Sequence, residues 1–342
     1  MNTSTYALTP GDATSVAPLV NVQGLATDSH RDTIMLTDVY LSSLTAWQWF
    51  VMHFQSHVEF VSAGDLVEPG IATDELSAQG FLQMSDSKQA AEAAALRAIG
   101  WRLHATPMGA VVNGVVVPSP ARRAGLRVAD RIVGVDGRPV GSLCAMIGAV
   151  HDLAPGTVVR LDVERARITK QGVIRWSTPH VVSVTSARPN VDAAAPSNCP
   201  RISGPSHSWI GVSLEDGVRY DLPGTITIDT RYIGGPSAGL AMTLALIDQL
   251  TSGSLTGHVV VAATGTIDAG GNVGDVGGVA EKTVAVQRAG AKVFLVPAIE
   301  VATARAAAPP GLKVLGVSTL AQALRDLRAI GGAAPVPLTA PH

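Results

Sequence analysis

Between Ile233 and Ile247 the chain reads IGGPSAGLAMTLALI, small residues packed around Ser237 followed by an abrupt apolar run. The strand-forming GTITIDT precedes it, and AGLAMTLALIDQLTSG continues it as a helix ended at Gly253. The chain must therefore build a crowded strand-to-helix corner with a serine at its apex. Such a corner suits a nucleophile, but it also suits a plain tight turn. The rest of the sequence has to supply the partners that separate the two.

With 342 residues the chain is long enough for two domains of ordinary size. Hydrophobic residues make up 46% and charged residues 15%, which fits an α/β or α+β globule and excludes a disordered chain. A net charge of −2 leaves no electrostatic footprint for nucleic acid. The first twenty residues, MNTSTYALTPGDATSVAPLV, have neither the basic nor the apolar region of a secretory signal. LTAWQWFVMHF is too short and too interrupted to cross a bilayer, so the chain as it stands reads as soluble. Cys144 and Cys199 are too few for a disulfide framework and read as two free or half-buried thiols.

After a Pro/Gly-rich lead-in, APLVNVQG and RDTIMLTDVYL read as strands, and SLTAWQWFVMHFQSHVEF as an amphipathic helix. His53 and His57 have the spacing of a metal pair on that helix. HFQSH lacks the glutamate of a zinc protease, however, and the two read as ordinary histidines with no metal. SDSKQAAEAAALRAIG is a capped, alanine-rich helix ending at Gly100. From Trp101 the pattern switches to short strands and Gly/Pro turns, with SLCAMIGAVHDL a helix among them. SARPNVDAAAPSNCPRISGPS follows as a linker. SWIGVSL then leads back toward the Ser237 corner. Beyond it HVVVAATGTIDAGGNVG is two strands around a turn, and VAEKTVAVQRAG, KVFLVPA, LKVLGVS and TLAQALRDLRAI alternate helix and strand. The residues from 331 to 342 read as a disordered tail.

Gly235–Gly239 satisfies G-x-S-x-G, the elbow of an esterase or lipase. That chemistry needs an acid and then a histidine downstream. Only His258, in a strand, and His342, at the end, follow Ser237, and Asp248 lies in the helix right after the serine. Lysine offers a better base. The chain holds twenty arginines and five lysines, and one of the five, Lys282, stands beside Gly277–Gly278 at the start of an apolar helix. Arginine cannot lose its proton at useful pH, whereas a lysine desolvated by neighbours such as Val279 and Val284 can. Amides at the helix start near Ser237 can hold a developing oxyanion.

These residues carry a resemblance. GPSAG, followed 45 residues after its serine by the lysine of GGVAEK, resembles the Lon-type (S16) serine proteases, and the match runs through ATGTIDAGGNVGDVGGVAEKTVAVQRAGAKVFLVP. The resemblance implies Ser237 as nucleophile, Lys282 as general base in a Ser–Lys dyad, and Thr264 as a hydroxyl that helps orient the lysine. Where many of these proteases have an aspartate two residues before the proline, this chain has Gly234, and Asp229 is the nearest acid. It has no G-x-x-x-x-G-K-[ST] loop, so hydrolysis is expected to need no ATP, and no cofactor or metal is expected.

GAVVNGVVVPSPARRAGLRVADRIVGVDGRPV and PGTVVRLDVERA resemble a PDZ domain of the bacterial protease-associated kind, whose implied ligands are C-terminal peptide tails bound as an added strand. The helix before it resembles one that follows the first sheet of Lon-type domains. The expected fold is thus α+β, a mixed α/β protease domain with an inserted PDZ barrel. Residues 1–99 form one half, 100–187 the PDZ, 188–330 the catalytic half and 331–342 the tail. Together these features resemble the PDZ-containing, usually membrane-anchored Lon-like bacterial proteases. They imply an extracytoplasmic, membrane-associated endopeptidase acting on protein or peptide substrates, able to form homo-oligomers through its protease domain. A scaffold that binds peptides without cleaving them is the alternative from another class.

Overall fold

Alternating β-formers at the N-terminus build much of the sheet that carries the Ser237 corner. The structure is a computed structural model and describes residues 2–28, 32–54, 57–62, 75–169, 174–189, 199, 202 and 207–340. It divides into two compact units. One is made from Met1–Ala63, Gln83–His104 and Tyr220–His342, the other from Gly64–Leu82 and Ala105–Arg219.

The first unit has a six-stranded sheet. Lys313–Val317, Val293–Pro297, Val261–Ala263 and Ile34–Thr45 run parallel, and Asn2–Ser15 and Glu59–Ser62 extend it antiparallel. The Pro/Gly-rich lead-in is itself a strand, paired from Ser15↔Met35 to Asn2↔Thr45, and Pro10 and Gly11 fall at a break in its register. A side chain at Gly11 would meet Asp38 Oδ1 at 2.0 Å, so only glycine lets the two strands close there. The helix Gly239–Leu250 is buried along its whole length and packs in the main core with Leu96, Val261 and Leu295. A helix apolar on every side has no solvent face, and this one has none.

A carboxyl pair closes the end of that helix. Asp248 accepts from the amides of Asp32 (2.9 Å) and Leu255 (3.2 Å), while Asp32 accepts from Ser254 Oγ and Thr256 N. Burial, followed by the charge of Asp32, pushes the Asp248 carboxyl up to about 7. Burial also disfavours the charge on Asp32, but its hydrogen bonds outweigh that and hold it below the usual value. Asp248 titrates near 3.8 when unfolded, so its stabilising contribution is complete below that pH and is lost as pH rises through about 7. Glu92, also raised to about 7 by burial, acts in the same direction. The unfolding temperature is expected to fall as pH rises from about 4 to about 7 and to level off above that, and Asp248→Asn is expected to flatten that fall in a calorimetric pH series.

The second unit has a sheet ordered His180–Thr185, Val158–Glu164, Arg131–Val135, Ala105–Val115 and Val212–Tyr220, with the helix Leu143–His151 packed in its core. SWIGVSL, read in sequence as the approach to the Ser237 corner, instead supplies an outer strand of this sheet. The cysteines are not free. Cys144 and Cys199 form a disulfide across a separation of 55 residues, which local sequence could not pair.

Three further expectations are corrected. The long helix through SLTAWQWFVMHFQSHVEF is only Ala46–Met52, capped by Thr45 and Gln48, because Glu59–Ser62 leaves to pair with Asn2–Ser15. Its aromatic residues face outward, with Trp47 72% and Phe54 76% exposed. His53 caps that short helix, and His57 lies beyond it with a positive φ, so the helical spacing of the pair does not exist. Finally, the described part of the tail is ordered: Val336–Pro337 pairs with Thr251–Ser252, and Leu338 N donates to Leu250 O at 3.0 Å, while residues 341–342 lie outside the described residues.

Candidate active site

Ser237 sits on a turn held mainly by main-chain contacts. Gly235 takes a left-handed φ of +86°, which a side chain would strain. Ser87 Oγ donates to the carbonyl of Pro236 at 2.9 Å. The carbonyl of Ser237 accepts from Gly265 N (2.9 Å) and from Thr264 Oγ1 (3.2 Å). At Gly239 a Cβ would lie 2.9 Å from Ile267 Cγ2 and 3.0 Å from Ile267 N, so the last glycine of G-x-S-x-G is required by close packing. Thr264 is fully buried, and its hydroxyl bonds to the serine's own carbonyl. It thus braces the Ser237 turn, where the resemblance had assigned it to the lysine.

Lys282 lies in the first turns of the helix Val279–Arg288, whose N-cap Gly278 is left-handed and would clash with Val39 if it carried a Cβ. Only 2% of Lys282 is exposed. Burial lowers its ammonium to about 8, and the carboxylates of Glu300 and Asp38 pull weakly the other way. Ser237 and Lys282 line one cleft of about 580 Å3, together with Asp12, Asp38, Tyr40 and Asp229. Burial raises the Asp38 carboxyl, and the Tyr40 hydroxyl donates to Asp12 at 2.5 Å. Asp229 accepts from Arg231 N at 3.1 Å and shapes the loop leading to Gly234. Sequence reasoning missed Asp12, Asp38 and Tyr40. They stand on the first two long strands, and only the pairing of those strands brings them here.

The esterase alternative fails on this geometry. His258 is exposed at the surface near Asp32, Asp248 is buried with Asp32, and among the described residues no histidine lines the cleft.

Residues 232–322 match the family model of the Lon protease (S16) C-terminal proteolytic domain, and residues 84–173 that of the PDZ domain. The chain carries a Lon-type proteolytic domain and a PDZ domain. The Lon-type match spans Ser237, Thr264 and Lys282. The PDZ match stops short of the strands His180–Thr185 and Val212–Tyr220, which complete that unit's sheet.

Similarity to whole proteins is partial. A Lon protease from Koribacter versatilis is 47% identical over 88 residues, 26% of this chain and 11% of that protein. A probable periplasmic serine endoprotease DegP-like from Chlamydia trachomatis is 47% identical over 57 residues, 17% of this chain and 12% of that protein. The chain therefore spans about a tenth of the length of these relatives. The crystal structure of the PDZ domain of the SdrC-like protein from Listeria monocytogenes aligns with a TM-score of 0.22 and 18% identity, covering 31% of this chain and 86% of that one. Among the described residues no helix is long and apolar enough to cross a membrane.

Proposed function

We propose that this chain is a serine endopeptidase that cleaves proteins or peptides through an acyl-enzyme on Ser237. One observation carries the reading: the serine of the Lon-type match and a desolvated lysine face the same cleft. A lysine at its ordinary value is neutral in roughly one molecule in a few thousand at pH 7. At about 8, roughly a tenth is neutral. In the proposed reaction neutral Lys282 takes the Ser237 Oγ proton as the oxygen attacks the scissile carbonyl. The oxyanion develops beside the start of the helix Gly239–Leu250, where amide dipoles favour negative charge. Collapse of the tetrahedral species breaks the C–N bond, and the Lys282 ammonium returns its proton to the leaving amine. Water, deprotonated by the same lysine, then releases the acyl group.

This reading fixes the sign of the pH dependence. The active form of Lys282 is deprotonated, so kcat/KM is expected to rise about tenfold per pH unit below the lysine's value and to level off above about 8. A peptidase assay across that range checks it. A rate that falls as pH rises through 7 would exclude a lysine base.

The PDZ domain is proposed to select substrates by binding extended peptide tails. Cleavage is proposed to need no nucleotide, because no phosphate-binding loop is present in the sequence. Addition of Mg-ATP should leave cleavage of an unstructured protein unchanged, and a severalfold rise would refute this part. An extracytoplasmic location is supported by the Cys144–Cys199 disulfide, since such bonds persist in oxidising compartments.

A further inference from the structure

We propose that His151, Asp152 and His207 form a binding site for a late first-row divalent cation, with zinc as the principal occupant. Each side chain offers one ligand atom, and the three atoms lie within 4.8 Å of one another. Asp152 Oδ1 is 2.6 Å from His151 Nδ1 and 3.9 Å from His207 Nδ1. Ligands on a tetrahedral zinc, with bonds of about 2.0–2.1 Å, stand about 3.4 Å apart. The two measured separations straddle that value, so a cation between them requires only small side-chain adjustments. In taking it up, the site exchanges the hydrogen bond between His151 and Asp152 for two metal–ligand bonds. Two imidazoles and one carboxylate suit zinc and its neighbours, whereas magnesium and calcium prefer oxygen donors throughout.

Three properties favour a built site over a chance meeting of surface groups. His151 is 5% exposed, which fixes one ligand in place, whereas the side chains of Asp152 (82% exposed) and His207 (70%) can adjust and are open to solvent. The backbones are already held together: His207 N donates to His151 O at 3.0 Å, and Trp209 exchanges hydrogen bonds with Ala187 in both directions. Little further ordering is needed, so little of the binding energy is spent on it. The position in the fold also gives the cation a task. Cys199 is tied by its disulfide to Cys144, at the start of the helix Leu143–His151, and Ile202 packs against the core cluster to which that helix contributes Leu143, Met146 and Val150. His207 reaches the other end of the same helix. The cation would tie His207 to the helix at the end opposite the disulfide.

The test is zinc titration calorimetry on the untagged, oxidised chain after chelator treatment, with proteolysis playing no part in the readout. One equivalent of zinc should bind to the wild type, and magnesium and calcium should not compete. Loss of even an outer partner of a metal site weakens it roughly 10–100-fold, so His207→Ala and Asp152→Asn should weaken binding at least tenfold. Both residues are exposed, so both variants should keep the wild-type circular dichroism. Zinc should also raise the unfolding temperature of the wild type in proportion to the logarithm of its concentration, and do so far less in His207→Ala. Absence of zinc binding, equal affinity in His207→Ala, or equally tight calcium binding would each overturn the proposal.

Discussion

Replacing Ser237 with alanine is expected to reduce turnover of a reporter peptide by roughly 10^6, the loss seen when a nucleophile that works with its base is removed. Lys282→Arg should come close to that figure. Arginine keeps the charge but cannot give up its proton at useful pH, so the variant separates a base from a mere cation. Because Lys282 is 2% exposed, a larger side chain there can also disturb packing, and Lys282→Met provides the control. Methionine fills a similar volume without a buried charge, so Lys282→Met should unfold at or above the wild-type temperature while remaining inactive. Thr264→Ala should be milder, with a loss of up to about 10^2, because it loosens the carbonyl of Ser237 and removes no proton-transfer group. Peptide hydrolysis measured alongside thermal unfolding distinguishes these outcomes.

Replacing both cysteines with serine is expected to destabilise the second unit by roughly 4 kcal/mol, the loop-closure value for the observed separation of 55 residues. Cys199 is 2% exposed and packs in that unit's core, so its replacement removes apolar burial as well as a covalent tie. Ser237, Thr264 and Lys282 all belong to the first unit, so labelling of Ser237 should survive the change. Urea unfolding of the oxidised, reduced and doubly substituted chains would show it. Coincident transitions in all three would mean that the disulfide carries no stability.

The Lon-type domain was legible in the sequence for a physical reason. Ser237, Thr264 and Lys282 lie within 46 consecutive residues, and glycine announces the local backbone shapes around two of them: the turn at Gly235 and the packing at Gly239 beside Ser237, and the left-handed cap at Gly278 before Lys282. Asp12, Asp38 and Tyr40 gave no such signal. They reach the cleft through pairing between Asn2–Ser15 and Ile34–Thr45, a long-range property that no local window contains. The same holds for the disulfide and for His207 beside His151, each joining residues more than fifty positions apart. The aromatic run from Trp47 to Phe54 misled for the opposite reason. Its spacing imitates a buried helical face, but its rings pack on one another (Trp47 stacked on Phe50, Phe54 edge-on to Phe50) and stay outside. SWIGVSL was read as a strand and overlaps the observed Val212–Tyr220 only at its end, and its pattern does not say which sheet will take it.

The most direct measurement is covalent labelling by an activated phosphonate that reacts with nucleophilic serines, with the adduct located by peptide mass spectrometry. The account predicts one adduct, on Ser237, forming at a rate that rises with pH and levels off above about 8, and no adduct on that time scale in Lys282→Arg. An unlabelled Ser237, or labelling that proceeds equally fast in Lys282→Arg, would contradict it.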